Sequence, residues 1–150
     1  MEKPMRLVTN IVAAEEDELE AVGMADRPVD EWTGIEARDF DSAKLATLHC
    51  LLSEDDFEEA LASYEPVFDA MDDEGAVVVR IPDSIAERLA VLEEEALEQV
   101  GEELAATEEF ELDGWATEDV QALLVGLGDL ARLADSQGQV MFAWMYPLPA

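Results

Sequence analysis

Three apolar segments of strand character lie at the start, middle and end of the chain, with helical periods between them. This pattern predicts a single α+β domain: a small mixed sheet with several packed helices. The length of 150 residues supports it, because one core can bury roughly 70% of the unfolded surface at this size. Residues 1–150 are read as one domain, with no internal repeat and no linker.

The elements are read in order. RLVTNIVA at 6–13 has the β-branched content of a strand, and a short acidic helix is expected over Glu15–Val22. Residues 23–39 read as an irregular connection, because Gly23, Pro28 and Gly34 interrupt any period; Trp32 is expected to cover the core. Asp41 or Ser42 caps a helix to Leu52, with Leu45, Leu48 and Leu52 on one face. Ser53 and Asp56 fit a capping box for a second helix, whose stripe is Phe57, Leu61 and Tyr64 and which stops at Pro66.

AVVVRI at 76–81 is a strand, bounded by Gly75 and Pro82. Ser84 and Glu87 fit a further capping box. The stripe Ile85, Leu89, Leu92 then changes phase to Leu97, Val100, Leu104, so two helices meet near Glu93. Asp113-Gly114 marks a turn, and Thr117 caps a long helix through Val120, Leu123, Leu124, Leu127, Leu130, Ala131 and Ala134. Gly126 and Gly128 within it mark close backbone packing. Gly138 ends the helix, and QVMFAWMY at 139–146 reads as a buried strand.

Charge sets the function classes. The chain holds 38 Asp plus Glu against 8 Lys plus Arg, a net charge of −30. A nucleic-acid footprint or electrostatic docking on anionic lipid is excluded, since both need Lys and Arg. A disordered acidic tail is excluded by the hydrophobic content of 49%. No apolar run approaches the ~20 residues of a membrane span, and the N-terminus lacks a signal-peptide core. With the single Cys50, this reads as a cytoplasmic protein.

The acids are unevenly spread. Between Lys44 and Arg80, Glu54, Asp55, Asp56, Glu58, Glu59, Glu65, Asp69, Asp72, Asp73 and Glu74 meet no base. Like charges one turn apart repel by about 0.2–0.5 kcal/mol per pair, and a cationic partner relieves this. These ten residues are the expected partner-binding surface, with Phe57 and Tyr64 as apolar anchors. Solvation of the protein and adaptation to high salt are the competing explanations of the acidity.

Catalytic chemistry has little to stand on. His49 is the one histidine, and its neighbour Cys50 points about 100° away on a helix, so His49 reads as a helix residue near the core. No nucleophile elbow, zinc ligand set or glycine-rich phosphate loop occurs. DAMDDEG at 69–75 clusters acids before a glycine, without the alternating ligands and closing Glu of a calcium loop. No catalytic residue, metal or cofactor is expected.

Three segments resemble the YfbM-like family, a domain of unknown function, over roughly residues 41–146. In LATLHCLLS at 45–53, His49, Leu51 and Leu52 match a family helix in which a His precedes a hydrophobic pair and a loop. VVVRIPDSIAERLAVL looks like its mid-chain segment, and DGWATEDVQALL followed by VMFAWMY resembles its Gly-Trp helix start and closing strand. The chain departs from the pattern where Leu45 replaces an aromatic residue and where 54–74 is unusually acidic. The resemblance implies an α+β cytoplasmic domain and carries over no catalytic residue. Domains of this kind include immunity proteins, which points to an antitoxin that occludes a basic bacterial toxin, a nuclease effector. The alternatives are a carboxylate-based metal-binding protein or enzyme, and an acidic housekeeping domain.

Overall fold

The computed structural model describes residues 7–25, 27–53, 55–69, 76–112 and 114–147. In chain order the elements are β1 (Leu7–Ala14), α1 (Leu19–Met24), β2 (Gly34–Arg38), α2 (Ser42–Leu52), α3 (Phe57–Ala62) and β3 (Phe68–Asp69). They continue with β4 (Val77–Arg80), α4 (Asp83–Ala90), α5 (Glu94–Ala105), α6 (Glu108–Leu112), α7 (Thr117–Gln137) and β5 (Val140–Pro147). The α+β class is the one the sequence predicts.

Among the described residues, five strands lie in the order β2-β1-β5-β4-β3. Every pairing is antiparallel, which corrects the expected mixed sheet. The reason lies in the connections. The helices between β4 and β5 return the chain to the end of the sheet it left, so Ile81 N–H donates to the Met141 carbonyl at 3.0 Å. A parallel neighbour would need the chain carried to the opposite end.

The two faces of the sheet bury different partners. Ile11, Ala13, Val79, Ile81, Met141, Ala143 and Met145 join the larger core, with α2 and α4–α7. Val12, Ala14, Val78, Phe142 and Trp144 face the opposite way, under α1 and the segment around Val29 and Trp32. β5 sits third of five and is covered on both faces. That is why VMFAWMY is apolar throughout instead of alternating.

The helices follow from their sequence with local corrections. Asp41 caps α2: its side chain accepts from Lys44 N–H at 3.0 Å. Neither expected capping box forms. Ser53 instead closes α2, its N–H donating to the His49 carbonyl, and α3 begins after Asp56. α4 begins two residues earlier than the box requires, after Pro82. α4 and α5 meet at Glu93 as expected, and α7 buries all seven residues of its stripe. A Cβ on Gly128 would stand 3.2 Å from the Leu89 carbonyl and one on Gly126 3.2 Å from Ile35, so these glycines let α7 approach α4 and β2. Gly138 ends α7 in the left-handed region at φ 66°.

Three elements lie where none was expected: β2, α6 and the two-residue β3, which follows the expected stop at Pro66. β2 falls in the segment read as irregular. Gly34, read there as a breaker, is a strand residue: a Cβ on it would stand 2.3 Å from the Ile11 carbonyl oxygen. α6 carries Phe110 into an aromatic group with Phe40 and Trp115, at ring distances of 6.3 and 5.4 Å. The buried Lys44 lies 5.8 Å over the Phe110 ring and 4.0 Å from Asp41, joining α6 to the start of α2.

Candidate functional site

The expected surface corresponds to the corner where α2 passes into α3. α2 is buried over most of its circumference, from Lys44 to His49 and again at Leu52. Its last turn therefore brings a polar ring into the interior. His49 is 3% exposed, and both its nitrogens are engaged. Nε2 lies 2.7 Å from an Asp55 carboxylate oxygen, and Nδ1 lies 3.1 Å from the Tyr64 hydroxyl. An ionised carboxylate only accepts, so Nε2–H donates to Asp55. In the neutral ring, Nδ1 is then left to accept from the Tyr64 O–H. The Tyr64 ring stands edge-on to the imidazole at 5.7 Å.

This Asp-His-Tyr chain has the connectivity of a proton relay, but the geometry does not offer a nucleophile. Tyr64 is 2% exposed. Burial, and then the neighbouring Cys50, push its phenol well above the ordinary tyrosine range. Cys50 is also held in the thiol form, first by burial and then by the Asp55 and Asp56 carboxylates. The chain binds the α2–α3 corner to the core.

The raised Tyr64 phenol has a consequence for stability. In the unfolded chain a tyrosine ionises near pH ~10, whereas the buried one keeps its proton. Its contribution is fully present below that pH and lost as pH rises beyond it. Denaturant midpoints measured at pH 9 and 11 should fall more steeply for the wild type than for Tyr64→Phe. Equal slopes would show that the phenol is not protected.

Of the ten acids expected at the surface, Asp55, Asp56, Glu58, Glu59 and Glu65 lie exposed around α3. Asp55 differs from the other four because it is turned to His49. Asp69 lies in β3, opposite Val77 of β4. Glu54, Asp72, Asp73 and Glu74 lie outside the described residues. The anchor reading divides. Phe57 is 39% exposed, but Tyr64 is buried against His49, which removes it as an anchor. Leu61 joins Phe57 on the same side of the helix one turn on, also 39% exposed. The stripe read from the sequence thus splits at the helix end, where the chain turns Tyr64 inward.

The recorded arginine ion pairs lie elsewhere: Arg27 with Asp30 and Glu36, Arg80 with Glu16 and Asp83, and Arg132 with Asp129. The Arg27 guanidinium, and then the Asn10 amide, hold the Glu36 carboxyl below its ordinary range against the opposing effect of burial. The acids on α3 have no such partner in the sequence from 45 to 79.

Two concavities lie away from this corner. A cleft of about 150 Å³ runs between the first turn of α4 and the last of α7, beside Asp83, Glu87 and Asp135. Asp83 there is already paired with Arg80. A more open hollow of about 290 Å³ lies between Arg38 and Trp115. Among the described residues, no three His, Cys, Asp or Glu side chains are grouped to hold a metal ion, and no helix is long and apolar enough to cross a membrane.

The histidine's role was not legible in the sequence. His49 and Asp55 are six residues apart across a helix end, and Tyr64 follows on another element, so no periodicity connects them. No family model, curated protein or solved structure matches the chain.

Proposed function

We propose that this protein is an acidic, non-enzymatic binding protein: an immunity protein or antitoxin that acts in the cytoplasm and occludes a basic bacterial toxin, a nuclease effector. The observation that carries the reading is the α3 corner, where Asp56, Glu58, Glu59 and Glu65 stand exposed with no base within the surrounding stretch of chain. A nuclease presents Lys and Arg to the phosphates of its substrate. An acidic surface fits that groove and is steered toward it. We also propose membership of the YfbM-like family, on the segments that fold here as α2, α4 and the α7–β5 end of the chain.

The test starts from the product of the neighbouring gene, which this reading expects to be a basic toxin. Co-expression should protect cells from it, and the triple variant Glu58→Lys, Glu59→Lys, Glu65→Lys should abolish protection while remaining folded. Association should slow more than about tenfold in the variant, and its dependence on salt should flatten. A neighbouring product that is not basic, or protection that survives charge reversal, would rule the assignment out.

A further inference from the structure

We propose that the element received at this corner is a cationic amphipathic helix, seated across Phe57 and Leu61 with its Lys or Arg side chains toward Asp56, Glu58 and Glu65. The inference rests on the binding reading above and specifies the chemistry of the partner. Its basis is that apolar exposure and negative charge coincide. Seven large hydrophobic residues are exposed among the described residues, and three of them, Phe57, Leu61 and Val67, fall in this one acidic stretch. The others, Met24, Val91, Leu112 and Val125, are scattered along the chain.

Phe57 and Leu61 stand one turn apart on α3, a spacing of about 6 Å that matches side chains at i and i+4 on a partner helix. Glu58 leaves the same helix exposed and adjoins Leu61 at i+3, whereas Glu59, two residues from either anchor, is exposed on the other side. Apolar anchors beside carboxylates fit a helix with one apolar face and cationic flanks. An extended peptide is poorly served here. Among the described residues, the nearby outer strand, β3, pairs over two residues, a short edge for strand addition.

Asp55 does not belong to the contact set. Its carboxylate already accepts from His49 at 2.7 Å, so a partner cation would have to displace the ring. Asp55 sets the corner in place, and Asp56, Glu58 and Glu65 meet the partner.

Three synthetic peptides separate these statements: leucine and lysine in helical period, the same residues in strand period, and oligolysine of equal charge. Titration into the full-length protein should show the helical peptide binding best, weakened about tenfold by Phe57→Ser with Leu61→Ser. Glu58→Gln with Glu65→Gln, which leaves every buried group intact, should weaken it and flatten its salt dependence. Asp55→Asn should change it less than about twofold. If oligolysine or the strand-period peptide binds as tightly, or if Phe57→Ser with Leu61→Ser has no effect, the helix inference is overturned and the acidic-binding reading stands. If none of the three peptides binds, both are overturned.

Discussion

Replacing His49 with leucine is expected to lower the unfolding free energy by about 2–3 kcal/mol, and to do so through a polar effect. Leucine fills much of the same space, so the loss does not come from a cavity. It comes from the Tyr64 hydroxyl, which is buried against the ring and has Nδ1 as its partner at 3.1 Å. A buried hydroxyl left unpaired costs about 1–3 kcal/mol. The Asp55 bond adds less, because that carboxylate is about half exposed and water replaces the ring. The double variant His49→Leu, Tyr64→Phe should therefore be more stable than His49→Leu alone, since removing both partners removes the orphan. Urea denaturation of the four proteins in the cycle measures this. Strict additivity would show that the two side chains do not act as a pair.

Gly34→Ala is expected to cost about 2 kcal/mol and to loosen one edge of the sheet. The added Cβ would stand 2.3 Å from the Ile11 carbonyl oxygen and 2.6 Å from a Val12 methyl. The first is backbone and cannot rotate aside, so β2 must move off β1. Hydrogen exchange should quicken in β2 and in the β1 amides that face it, with β4 and β5 unchanged. Gly114→Ala is the contrast: it too faces a penalty, but from its φ of 72°, since nothing lies within 4 Å of the added atom. It should cost about 1 kcal/mol and leave the exchange of β2 alone. Equal exchange patterns for the two variants would remove the case for close approach at Gly34.

The contrast between Gly34 and Gly138 shows how far sequence carries. Gly138 follows twenty-one residues of helical period, so its place as a helix stop is local information. Gly34 has no long period around it: Ile35, Glu36, Ala37 and Arg38 alternate apolar and polar over only four residues with one β-branched side chain, too short a signal to outweigh the Gly and Pro breakers nearby. β2 exists because it pairs with β1, from Val8–Arg38 to Val12–Gly34, and β1 is more than twenty residues away. α6 is a similar case. Five residues make a marginal helix alone, and EEFEL is held by Phe110 packing on Phe40 and Trp115. The capping boxes erred in the other direction. Ser53-Asp56 and Ser84-Glu87 have suitable chemistry, but Ser53 was already closing α2, and Pro82 started α4 two residues early.

The candidate site divides along the same line. Charge is additive along the chain, so composition alone reveals that the segment from 54 to 74 is acidic and free of bases. Direction is not additive. Asp55 and Glu58 are equivalent as letters, yet one turns to a buried imidazole and the other to solvent. Phe57 and Tyr64 share a helical stripe on paper, yet α3 ends at Ala62 and the next turn carries Tyr64 inward.

By itself the sequence determined the α+β class, the strands β1, β4 and β5, the helices with sustained period, and the place of the negative charge. Each depends on residues close along the chain or on their sum. Only the tertiary structure decided the antiparallel sheet, the edge strand β2, the buried His49 link and which acids face outward. Each of these depends on a contact between distant segments, and a local pattern, such as the short alternation from Ile35 to Arg38, does not say which segment it will meet.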